Sequence, residues 1–202
     1  MTDATRTLLS ILCNAVIVLA TAAGVLAMFR NEGRWDAAKG RAGFRYFTVL
    51  SNVFCALAAL AVLIAQAAGG LPFGVWITKY IATVAVSVTM VTVLVFLGPN
   101  MGYKPLLSGW DLFMHLLTPL LAIVSFSLFE RQTMAFPLCL LGLLPTALYG
   151  AVYCYRVVFL PEGQGWEDFY GFNKGGHWRL SIVAMLLGTF LLCLALWATQ
   201  LR

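Results

Sequence analysis

The amino-acid sequence predicts an all-α, polytopic membrane protein, a single bundle of six transmembrane helices. Three observations predict it. The chain is 61% hydrophobic and only 10% charged, with a mean hydropathy of +0.89, whereas a soluble domain carries about 25% charged residues. Its apolar residues fall into six runs of roughly twenty, the length that crosses a ~30 Å hydrocarbon core at about 1.5 Å per residue. The charges collect between those runs.

The first run, Leu8–Met28, is preceded by a single cation, Arg6. It is longer than the apolar core of a signal peptide and reads as a span. The second, Phe44–Ala68, opens with FRYFTVLSN. A tight turn, AAGGLPFG (Ala67–Gly74), leads to the third, Val75–Leu97. The fourth, Leu112–Phe129, starts within WDLFMHLLTP. The short ERQTM (Glu130–Met134) leads to the fifth, Ala135–Phe159, which tolerates Pro137 and Pro145 because neighbouring helices can satisfy the carbonyls they free. The sixth is Trp178–Leu201. These runs consume most of residues 1–202 and leave no room for a separate soluble domain.

The odd-numbered loops are long and the even ones short, so one face of the bundle reads as plain and the other as furnished. Arg30, Arg34, Lys39, Arg41, Arg45, Lys104, Arg156, Lys174 and Arg179 go with the odd loops. Arg6, Lys79, Arg131 and Arg202 go with the other side. That bias predicts cytoplasmic odd loops, in the setting of a bacterial inner membrane. With no basic helix or aromatic-interleaved stripe, the net charge of +5 does not point to nucleic acid. All five cysteines lie within spans and lack metal-like spacing, so they read as packing residues.

Polar groups inside spans carry the chemical interest, because each is costly unless paired or wetted. Thr48, Ser51, Asn52 and Cys55 recur at i, i+3, i+4 and i+7 on one helical stripe near the odd-loop face. In the fourth span Asp111, His115 and Thr118 share a face at similar depth. Pro119 lacks the N–H that the His115 carbonyl would otherwise receive. Asp111 either orients the imidazole or sits in solvent at the helix start. Tyr149, Tyr153 and Arg156 form a further stripe in the fifth span. They read either as an interfacial belt with a snorkelling arginine or as the lining of a cleft for an anionic lipid group.

The fifth loop, PEGQGWEDFYGFNKGGHW, gathers Trp166, Glu167, Asp168, Tyr170, Asn173 and His177 between glycines and reads as a lid over the furnished face. With two histidines in the chain and no paired ligand motif, neither a metal nor another cofactor is expected.

A threonine hydroxyl becomes a nucleophile when a base takes its proton, and histidine is the usual base near neutrality. Thr48 and His115 therefore form a candidate acyl-transfer pair. Ser51, Asn52, Tyr149 and Tyr153 are candidate oxyanion or substrate donors, with Asp111 and Arg156 nearby. A non-enzymatic transporter, or a lipid-binding or sensor protein with polar stripes along a pathway, is the competing expectation. In either case the partners are membrane lipids, and nothing in the sequence fixes an oligomeric state.

FRYFTVLSN at the start of the second span, followed by WDLFMHLLTP at the start of the fourth, resembles the androgen-induced and androgen-dependent TFPI-regulating protein family and its prokaryotic six-span relatives. The resemblance implies an intramembrane hydrolase of fatty acid esters of hydroxy fatty acids, drawing its lipid substrate from the bilayer. By the same resemblance Thr48 is the nucleophile and His115 the histidine. The LSN after Thr48 is closer to the prokaryotic branch, and WEDFYGFN departs from the animal pattern.

Overall fold

The computed structural model describes residues 2–161 and 163–201. Six helices are long and apolar enough to cross a membrane: Asp3–Met28, Phe47–Ala67, Phe73–Met101, Trp110–Phe129, Phe136–Phe159 and Trp178–Ala198. They match the six apolar runs in order, and the chain is an all-α integral membrane protein. The ends differ in instructive ways. The first helix begins at Asp3, where the Thr2 hydroxyl accepts the Thr5 amide. The second begins only at Phe47, because residues Phe44–Tyr46 form the turn after a short separate helix, Ala37–Gly43. A two-residue antiparallel pairing, Arg30–Asn31 with Arg34–Trp35, closes the rest of that first loop.

The first four spans pack in a ring, 1 on 2, 2 on 3, 3 on 4 and 4 on 1, while the fifth and sixth close against the other side of the third. Lipid tails are as apolar as these side chains, so close van der Waals approach, rather than escape from water, drives the association. At the centre of the ring Ala58, Ala59, Ala82 and Ala122 are buried with Ile17, Cys55 and Val86, small residues that let the backbones close up. On the other side of the third span, Trp76, Tyr80 and Val84 pack with Phe126, Cys139 and Cys193. The third span is therefore the shared wall of two half-bundles.

Two backbone adjustments follow from the sequence. Pro119 removes the donor for the His115 carbonyl, and the ladder widens to a π turn over Phe113–Leu117, with the Thr118 amide reaching back to the Phe113 carbonyl. Pro99 likewise lacks the N–H that the Val95 carbonyl would receive, and a π stretch, Thr92–Leu97, precedes it in the third span. Lys79 requires a correction to the charge tally. It is not a loop cation but sits inside the third span with 0% exposure, because Asn14 across the bundle accepts its ammonium.

Candidate functional site

At the odd-loop end, spans 2, 3, 5 and 6 enclose a largely apolar cavity of ≈ 420 Å3, within the range of about 300–1,000 Å3 usual for small-molecule sites. Phe47 and Thr48 open it from the second span. Thr89 and Thr92 line it from the third, Tyr149 and Tyr153 from the fifth, and Tyr170 from the fifth loop. Gly150 gives it width, since a Cβ there would meet the Met185 side chain.

The Thr48 stripe faces inward. Ser51 exchanges a 2.8 Å hydrogen bond with Thr89 on the third span and donates to the Thr48 carbonyl. Asn52 is fully buried, and its amide nitrogen donates to two carbonyls, Thr48 at 2.8 Å and Met114 at 2.9 Å. Both amide hydrogens are thus committed to backbone, and its Oδ1 is buried without a partner. One side chain therefore sets spans 2 and 4 at a common depth, with Thr48 on one side and the residue preceding His115 on the other.

His115 is 9% exposed, and its Nδ1 lies 2.6 Å from the Leu106 carbonyl. A carbonyl can only accept, so Nδ1 carries the hydrogen, which leaves Nε2 of the neutral ring as the basic nitrogen. Asp111 is exposed and makes no bond to the ring; the third-loop carbonyl does the orienting. No hydrogen bond joins Thr48 to His115, and His115 is not among the residues lining the cavity.

The fifth loop is folded against this end of the bundle. Asp168 organises it, accepting from the Phe172 and Asn173 amides at 2.7 Å each and from the Tyr153 hydroxyl at 3.0 Å. The Tyr153 hydroxyl in turn accepts the Tyr170 amide. Trp166, Phe169, Tyr170 and Phe172 pack around Tyr153, and the Trp166 amide ties to the Arg156 carbonyl. Arg156 is exposed, with its guanidinium 5.8 Å from the Trp166 ring. Tyr149 donates to the Arg45 carbonyl. Glu167 and His177 are exposed, while Asn173 is half-buried. Among the described residues, no group of three or more His, Cys, Asp or Glu side chains is arranged to hold a metal.

Tyr170 reaches furthest. Its hydroxyl accepts the Phe47 amide at 3.1 Å, with the Thr48 and Tyr149 hydroxyls beside it. Tyr46, at the helix boundary, supplies no side-chain cap, so a phenol from the distant loop satisfies a first-turn N–H of the second span. Burial raises the Tyr170 pKa above its ordinary value, against the lowering effect of those hydrogen bonds, so the phenol remains a proton donor at neutral pH.

The other end of the bundle is not plain. Ser10 and Asn14 from the first span, Gln66 from the second, Lys79 from the third, Ser125 from the fourth and Glu130 just past its end converge in one buried polar network. The sequence signals for it were present: a cation inside an apolar run, and Ser10 and Asn14 at helical spacing. A carboxylate in a five-residue loop read instead as an ordinary turn residue. Scans of this chain against family models, curated proteins and solved structures found no match.

Proposed function

We propose that this membrane protein is a lipid-ester hydrolase that uses Thr48 as nucleophile and His115 as base. Fatty acid esters of hydroxy fatty acids are the substrate class suggested by the family resemblance. Thr48 Oγ1 attacks the ester carbonyl carbon while its proton passes to His115 Nε2. The carbonyl oxygen, now anionic, takes a hydrogen bond from the Tyr170 hydroxyl. The ester C–O bond breaks, and the imidazolium returns its proton to the departing alkoxide, which leaves as the alcohol. Water then adds to the acyl carbon with His115 taking its proton. The Thr48 oxygen leaves reprotonated, and the fatty acid is released.

The observation that carries this reading is the Asn52 clamp. It holds the carbonyls of Thr48 and Met114 on a single amide, beside an apolar cavity that Thr48 lines. The tautomer imposed on His115 by Leu106 supports it, since Nε2 is then the free base. Thr48 and His115 share no hydrogen bond at rest, so the reading requires substrate binding to bring the Thr48 hydroxyl and His115 Nε2 into proton-transfer contact. The same reading sets the odd loops toward the cytoplasm of a bacterial inner membrane, a choice that gains weight once Lys79 leaves the opposing tally.

A fluorophosphonate probe tests the reading on purified protein in detergent. The native chain is expected to form a covalent adduct, and Thr48→Ala and His115→Ala are each expected to abolish it. An unlabelled but well-folded native protein, with both variants matching it in a lipid-ester hydrolysis assay, refutes the hydrolase and leaves a lipid-binding role for the cavity.

A further inference from the structure

The buried network at the even-loop end plays no part in that chemistry, and its charges are oddly matched. Lys79 is 0% and Glu130 1% exposed. Taking either charge out of water is expensive, and a buried pair rarely stabilises more than apolar residues of the same volume. Yet no ion pair joins the two, since the sole ion pair among the described residues is Arg6–Asp3. Asn14 stands between them. Its carbonyl accepts from Lys79 Nζ at 2.6 Å and its amide donates to Glu130 Oε1 at 2.6 Å, the orientation that suits a cation on one side and an anion on the other.

The two oxygens of the Glu130 carboxyl are used very differently. Oε1 accepts from Ser10 at 2.8 Å, from Asn14 and from Ser125. Oε2 is buried and accepts nothing. The Lys79 ammonium has three hydrogens and makes one hydrogen bond, to Asn14. A staple evolved only for strength would leave neither an open carboxylate lone pair nor spare ammonium hydrogens in a medium where each unmet polar group is costly. Glu130 also sits just past the end of the fourth span, at the start of the short even loop, and Arg131 beside it is exposed.

We propose that Glu130 Oε2 is a reversible proton-binding site, filled from water on the even-loop face and governed by Lys79 through Asn14. A hydronium ion there gives its proton to Oε2. A new O–H bond forms, water is left behind, and Oε1 keeps its three donors. Lys79 then becomes, among the described residues, the only full charge in the core of the first four spans, so the proton changes the field that all four helices share. The other titratable groups nearby are thiols, Cys13 from the first span and Cys55 from the second, together with Arg131 at the end of the fourth. Intramembrane ionisable groups of this kind typically mark proton or ion pathways.

Infrared difference spectroscopy during acid titration of the full chain in lipid nanodiscs tests the site. A variant carrying Glu32→Gln, Glu162→Gln and Glu167→Gln leaves Glu130 as the only glutamate, so 13C-glutamate labelling assigns the signal without touching the network. A reversible protonated-carboxyl band at the high frequency of a dehydrated acid, shifted by the label, is expected to appear on acidification and vanish on return. Adding Lys79→Met removes the opposing cation and is expected to tighten proton binding at least about tenfold. A label-sensitive band that never appears during the titration of the folded protein, or a midpoint unmoved by Lys79→Met, overturns the proposal. If Lys79→Met fails to fold, the labelled variant with Lys79 intact decides the matter alone.

Discussion

Replacing Asp168 with alanine isolates what holds the fifth loop over the cavity. The carboxylate accepts two loop amides at 2.7 Å and the Tyr153 hydroxyl at 3.0 Å. Hydrogen bonds to a charged group contribute about 1.5–3 kcal/mol each. The two amides can recover much of their share from water once the loop lifts, but the Tyr153 side chain, 1% exposed, cannot while it stays packed. One charged bond lost outright, plus the residue of the other two, gives about 3–4 kcal/mol favouring the lifted loop. At about 1.4 kcal/mol per tenfold, amide hydrogen exchange from Tyr170 to Asn173 should accelerate by about 10²–10³. Exchange measured by mass spectrometry on the purified variant checks this, with the span 3 amides as an internal reference that should not change. Asp168→Asn keeps an acceptor without the charge and is expected to fall between the two. If Asp168→Ala leaves exchange in that segment unaltered, the carboxylate is not the clamp and the aromatic packing around Tyr153 holds the loop unaided.

Gly165→Ala attacks the same loop by another route: its Cβ would fall on the Arg156 carbonyl oxygen, a backbone atom with nowhere to move, so the Trp166 anchor should break and trypsin should cut faster at Lys174. Asn52→Leu fills the same space without donors and should lower stability by about 1–3 kcal/mol, while fluorophosphonate labelling of Thr48 falls further than the drop in thermal midpoint explains. Gly150→Leu should narrow the cavity and reduce binding of long-chain acyl probes, measured by fluorescence displacement, with little change for short ones. The raised pKa of Tyr170 predicts a loop anchor at full strength below the unfolded value of about 10, weakening from there and lost as pH rises through the higher folded value; exchange in the loop should therefore be flat, after correction for intrinsic rate, from neutral pH to about 10.

Periodicity within a helix was legible in the sequence, because a 3.6-residue repeat fixes which side chains share a face whatever lies opposite. Ser51, Asn52 and Cys55 all turn inward, and the six apolar runs became six helices. What lay opposite was not legible. Thr89 as the partner of Ser51, the Met114 carbonyl as the partner of Asn52, and Tyr170 on the Phe47 amide are contacts set by how whole helices and a loop dock. Lys79 shows the same limit from the other direction. Near the end of an apolar run a lysine that snorkels to water and one that is swallowed by the bundle look identical, and only an acceptor on another helix, here Asn14, decides between them.

Tyr80 bears on the order in which the chain is assembled. Thr83 and Ser87 return their hydroxyls to carbonyls of their own helix, so a nascent third span can wait in lipid with those groups already content. The Tyr80 hydroxyl has no such local option: it is tied to the Cys139 carbonyl at 2.8 Å and the Cys193 carbonyl at 3.3 Å, both on helices synthesised later. A ribosome paused after the fourth span therefore leaves one phenol facing hydrocarbon, and the arrival of the last helical pair is what relieves it.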